Sequence, residues 1–138
     1  MTDIEVLIEK TNNIQNCLQR IHNTLKGDLN RLENLDVQDI VILNLQRAVQ
    51  LVIDIASHVV STEHLGIPQS IKDLFLILEK NHILEHNLSN KMQKMVGFRN
   101  IAVHDYQAIN PEILKSILLH HLKDLEDFYT VLIKRQRL

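Results

Sequence analysis

The chain has 138 residues, 45% of them hydrophobic and only 4% aromatic, with a formal net charge of −2. This is the length of one ordinary domain with enough apolar side chain for a core, which excludes a disordered chain and a polyanion binder that relies on overall positive charge. Three glycines, two prolines and one cysteine leave few turns and no intrachain disulfide, a pattern of long helices in a reducing compartment.

The first residues, MTDIEVLIEK, lack the basic start and apolar run of a signal peptide, and no stretch offers the roughly 20 uninterrupted apolar residues of a membrane span. The expectation is a cytoplasmic protein with no membrane partner. A helix is expected from the start. Thr2 and Glu5 have capping-box spacing, and Ile4, Leu7, Ile8, Ile14, Leu18, Ile21 and Leu25 recur at helical intervals until Gly27 and Asp28. NRLENL is a short connector. Asp36, with Asp39 three residues on, reads as the N-cap of a long helix from Val37 to about Thr62, closed by Gly66 and Pro68. Ser70 with Asp73 repeats that spacing and opens a shorter helix carrying Ile71, Leu74, Phe75 and Leu78. NHILEHNLSN is a polar interruption, after which a helix runs from Leu88 or Ser89 into RNIAVHDY. Asn110-Pro111-Glu112 supplies a cap, a first-turn proline and a first-turn acid. The last helix then runs nearly to the C-terminus, where Lys134, Arg135 and Arg137 suit a helix end. With no strand alternation and no repeat, residues 1–138 read as a single all-α domain, an up-down bundle of four or five helices.

Two places break the pattern. In the long helix Asn44, Arg47, Asp54 and His58 share a face, with Gln50 beside them, and between Val41 and Val60 the only charges are Arg47 and Asp54. The face is either solvated, with Asp54 and His58 an i,i+4 pair, or it is one wall of a polar cleft against a second helix or subunit. In the later helix the apolar stripe Leu88, Met92, Met95, Val96 extends onto Arg99. That arginine either snorkels past the bundle edge, forms a buried ion pair with Asp54, or belongs to a reaction centre. His104 lies five residues on, about 140° further round an ideal helix. One straight helix does not aim both side chains at one point. Either the helix ends between them or another helix or subunit completes the site. Tyr106 could equally cover the end of the bundle.

The histidines carry no metal signature. His82 and His86 are at i,i+4 and His120 and His121 are adjacent, but there is no HExxH and no cysteine pair, so neither a metal nor another cofactor is expected. His121 falls on the stripe Leu114, Leu118, Leu125, Phe128 and reads as a satisfied buried histidine.

Arg99-Asn100-Ile101-Ala102-Val103-His104-Asp105-Tyr106 resembles the Arg-x4-His-x-Tyr motif of the HepT toxins, members of the HEPN superfamily of all-α ribonucleases. LNLQRAVQLVIDIASHV, LGIPQS, KMVGFRNIAVHDY and LLHHL follow in that family's order along nearly the whole chain. The resemblance implies an HEPN-like helical bundle that forms a homodimer or higher oligomer, so that two Arg/His motifs share one cleft. It implies RNA rather than DNA as the substrate, cut without metal. Arg99 would hold phosphoryl oxygens, His104 would move the proton, and Asn100 would orient His104 or the phosphate. Asn44, Arg47 and Asp54 would support the cleft, and the product would end in a 2′,3′-cyclic phosphate. The resemblance further implies a HepT/MntA toxin–antitoxin pair of type VII kind, in which an MntA-like nucleotidyltransferase antitoxin transfers AMP to the motif tyrosine, here Tyr106. The alternative is a catalytically inactive HEPN adaptor that binds a nucleotide or a nucleotidyltransferase partner, with Arg99 and His104 structural.

Overall fold

The computed structural model describes residues 3–137, the side chain of Arg137 excepted. The capping role expected of Thr2 and the helix-end role expected of Arg137 lie outside it. The described residues form six α-helices and no strand: α1 (Asp3–Leu25), α2 (Leu35–Thr62), α3 (Ile71–Lys80), α4 (His86–His104), α5 (Pro111–His120) and α6 (Leu122–Arg137), with short 3₁₀ helices at Leu29–Glu33 and Tyr106–Ala108.

α2 is the pillar. Its 28 residues bury twelve side chains, from Val41 and Ile42 to Val59 and Val60, and α1, α3, α4 and α6 all pack against it. By length and composition alone α2 could cross a membrane. Here most of its Val, Ile and Leu side chains from Val41 onward are covered by the other helices, while Leu35, Ile40 and Leu43 stay exposed. Side-chain pairs fix the directions. Asp3 meets His58 and Lys10 meets Asp54, so α1 runs antiparallel to α2. Arg99 reaches Gln50 and Tyr106 reaches Asp39, so α4 is antiparallel to α2 as well. Arg135 pairs with Glu63, which sets α6 parallel to α2. The core is aliphatic, with one aromatic pair, Phe75 against Phe128, edge to face at 5.8 Å between centroids.

The helix boundaries depart from expectation in three places. The N-cap of α2 is Asn34, not Asp36: its side chain accepts from the Asp36 and Val37 amides at 2.9 and 3.2 Å. The 3₁₀ turn before it leaves Asn34 extended, so the helix starts earlier and Asp36 falls in the first turn, where its charge meets the positive end of the helix dipole. α4 begins at His86, because the preceding turn is short and folds Ile83 and Leu84 into the core, with His82 at φ 60°. The single last helix is two. The chain breaks at His121, whose ring Nδ1 lies 2.8 Å from Asp124 Oδ2, with Lys91 3.6 Å from the same carboxylate. Asp124 is buried, and a buried carboxylate needs such partners. Ser70 and Asn110 cap α3 and α5 as expected.

Replacing Asn34 by alanine should destabilise the fold by about 1 kcal/mol in equilibrium denaturation, as N-cap losses generally do. Asp36→Ala should cost less, since Asp36 supplies charge and not the cap bond.

Candidate functional site

α4 runs unbroken through Arg99 and ends at His104, where the Asp105 amide bonds the Ile101 carbonyl at 2.8 Å. The helix therefore does not end between the two motif residues. On it they diverge by about 140° and lie about 7.5 Å apart along the axis.

Arg99 is half-buried and turned toward α2. Its Nη2 donates to Gln50 Oε1 at 2.7 Å, its Nη1 donates to Asn100 Oδ1 at 3.0 Å, and its Nε is buried without a partner. Gln50 in turn donates from Nε2 to Asp54 Oδ1 at 2.9 Å, and Lys10 Nζ stands 4.0 Å from the other oxygen of Asp54. Arg99 and Asp54 are thus linked through an amide and are not a direct ion pair. Nor does Arg99 simply snorkel, since two acceptors fix its fork.

His104 is exposed and makes no side-chain hydrogen bond among the described residues. Asn100 spends its oxygen on Arg99 and within one chain does not reach His104. Tyr106 opens the 3₁₀ turn after α4 and is 41% exposed. Its hydroxyl donates to the Asp39 carboxylate near the start of α2, a short bond that ties the end of the motif to the long helix. Burial first, then the hydrogen bond and charge of Asp39, push its pKa up to about 12.

The polar stripe on α2 divides. Asn44 is 2% exposed and donates to the Ile40 carbonyl of its own helix, so it lies in the core and not on a cleft wall. Arg47 is exposed and near Cys17 of α1, whose thiol is raised by burial and pulled back by Arg47. Asp54 serves Gln50 and Lys10, while His58 bonds Asp3 at 3.1 Å, so these two do not pair with each other. Of the stripe, Gln50 and Asp54 belong to the motif's surroundings. Sequence reasoning left out Gln50 as a site residue, although its i,i+4 spacing to Asp54 was a signal. It also left out Asp39, for which 67 residues of separation from Tyr106 gave none.

The other histidines stand apart. His121 is about half exposed and its partner Asp124 is the buried member, the reverse of the expected buried histidine. His86 pairs with Glu79 at 3.0 Å. Among the described residues no three His, Cys, Asp or Glu side chains converge on one point.

The chain matches the Ribonuclease HepT-like family over residues 5–132. It is 42% identical over 128 residues to the mRNA nuclease HepT of Shewanella oneidensis, covering 93% of this chain and 96% of that protein. Among solved structures it resembles a toxin–antitoxin complex with AMP-PNP, at TM-score 0.88 and 43% identity, covering 93% of this chain and 97% of the other. It also resembles the tri-AMPylated Shewanella oneidensis HEPN toxin in complex with MNT antitoxin, at TM-score 0.87 and 44% identity, covering 96% and 98%.

An ultraviolet titration should show Tyr106 ionising near pH 12, two units above the ordinary value of 10.0. The fold favours the neutral phenol, so whatever stability this contributes is complete below pH 10 and lost as the pH rises through 12. Asp39→Asn should move the transition back toward 10, and Tyr106→Phe should delete it. Because Tyr129 is a second phenol, the transition is read as the difference between the parent and Tyr106→Phe, and a difference centred at 10 would show that the contact with Asp39 does not hold in solution.

Proposed function

Because the chain belongs to the HepT-like ribonuclease family, we propose that it is the toxin of a toxin–antitoxin pair. In this reading it is a cytoplasmic endoribonuclease that cuts RNA with Arg99 and His104 and is silenced by AMP transfer to Tyr106. The observation that carries the reading is the half-buried guanidinium of Arg99, fixed by two neutral oxygens at the rim of the bundle, on the same helix as an open imidazole.

The guanidinium has five N–H groups. One on each terminal nitrogen is used inside the chain, and Nε is sealed off. A second N–H remains on each terminal nitrogen, so a phosphodiester is met end-on by a fork that matches two of its oxygens. Cleavage begins with the ribose 2′-oxygen attacking phosphorus. The bond to the 5′-oxygen breaks, and the products are a 2′,3′-cyclic phosphate and a 5′-hydroxyl. One imidazole takes the 2′-hydroxyl proton, another donates to the leaving oxygen, and Arg99 meets the charge that builds on phosphorus. Base and acid stand on opposite sides of the phosphate, while Arg99 and His104 of a single helix diverge. Two copies of the chain with their motifs facing supply both imidazoles, which supports a homodimer as the working unit. The relative's name makes messenger RNA the first substrate to test.

Silencing uses the same neighbourhood. The Tyr106 oxygen attacks the α-phosphorus of ATP held by a nucleotidyltransferase antitoxin, pyrophosphate leaves, and the phenol proton is lost. The AMP ester then has no proton to offer Asp39 and sets a phosphate charge against that carboxylate. The modified side chain must leave Asp39, and the nucleotide stands two residues from His104, where it obstructs an RNA strand.

His104→Ala and Arg99→Ala should each fold, with melting temperatures close to the parent's, and cleave RNA at least about 100-fold more slowly, as losses of an acid–base group or a charge-stabilising donor do. Arg99→Ala leaves only amide oxygens behind, not an orphaned carboxylate. Metal-dependent cutting with 3′-hydroxyl ends would refute the mechanism, and equal toxicity of parent and His104→Ala would favour the adaptor reading. Tyr106→Phe should stay toxic and take no label from the antitoxin with labelled ATP; full labelling of that variant would place the modification elsewhere.

A further inference from the structure

We propose that Gln50 is a positioning residue for Arg99, and that Asp54, backed by Lys10, sets the direction in which Gln50 works. The proposal rests on the reading of Arg99 as the phosphate-binding cation.

A glutamine amide can point either way round, oxygen or NH₂ first, and only its hydrogen-bond partners decide. At Gln50 both partners give the same answer. Asp54 is a carboxylate with Lys10 at its far oxygen, so it accepts and draws the Gln50 NH₂ toward itself at 2.9 Å. Arg99 only donates, and the Gln50 oxygen receives its Nη2 at 2.7 Å. The row Lys10, Asp54, Gln50, Arg99 alternates donor and acceptor from α1 across α2 to α4, with no group facing its own kind. Asn100 holds the other terminal nitrogen at 3.0 Å, and the buried Nε leaves no third direction of approach. The guanidinium plane is therefore set by two amides, one from its own helix and one from α2.

The chemistry explains why an amide stands at position 50. A carboxylate there would grip Arg99 more tightly, yet would cancel the charge that a phosphate must meet. An apolar side chain would preserve the charge but leave its direction free. The amide oxygen fixes direction and leaves the positive charge intact, so its effect is felt where charge develops on phosphorus.

The experiment is steady-state cleavage of a defined RNA by purified protein, with melting temperatures recorded. Gln50→Leu should fold and lose about 10- to 100-fold in kcat with KM little changed, the range expected when a hydrogen bond to a charged group is removed. Asp54→Asn is the second variant. It keeps size and shape but loses the charge and can present its own NH₂. One of the two groups that fix the Gln50 amide is then weakened, and kcat should again fall, by less than in Gln50→Leu; a purely structural role predicts no change. The decisive readout is coupling. In an Arg99→Lys background Gln50→Leu should cost almost nothing further, because a residue that acts through the guanidinium has nothing left to position. Full additivity of the two losses would overturn the proposal, as would a parental rate in Gln50→Leu while Arg99→Lys is slow. If Arg99→Lys itself cleaves at the parental rate, the failure lies with the phosphate-binding reading of Arg99 and not with the placement of Gln50.

Discussion

A guanidinium lodged partly inside a helical bundle must find acceptors, and those acceptors decide what it can do. Burying a charge without partners is costly, and pairing it with a carboxylate removes its value for an anionic ligand. Arg99 is held between these limits by Gln50 and Asn100, whose oxygens satisfy it without neutralising it. The surrounding polar groups follow from that arrangement. Asp54 orients the amide, Lys10 keeps company with Asp54, and on the polar face of α2 each of these two side chains has a defined partner.

The site is therefore a property of α2 as much as of α4. The antiparallel packing of the two helices sets the end of the motif against the first half of α2, so that Gln50 meets Arg99 and Asp39 meets Tyr106. Neither contact is local in sequence. A chain with the same motif but a shifted α2 would keep its arginine, histidine and tyrosine and lose the groups that hold two of them.

How much was legible follows from which forces act locally. The helices could be read because Leu, Ile and Val recur at helical spacing, and Ser70 and Asn110 could be read as caps because cap bonds span only two or three residues. Asn34 was harder, since Asp36 is an equally good cap residue and only the 3₁₀ turn before it decides. The break at His121 carries neither glycine nor proline and comes from burying Asp124, which is a tertiary event. Arg99 was conspicuous as a charge on an apolar stripe, and the ordered segments shared with the HepT toxins named the family. Asn44 misled because its polarity suggested a cleft, while its side chain turns back on its own helix. The partners across the bundle, Gln50 and Asp39, required the packing to be seen.

α2 also has a history before the fold exists. As a free segment it is apolar enough to be mistaken for a membrane anchor. The chain is synthesised from the N-terminus, so the amphipathic α1, with Leu7, Ile14, Leu18 and Ile21 along one face, has left the ribosome before α2 follows it. The connector between them is short, and closing a short loop is fast compared with translation at about 5–20 residues per second. The apolar segment thus emerges next to a partner face that is already made, and the order of the helices along the chain favours α1 as the first cover for α2.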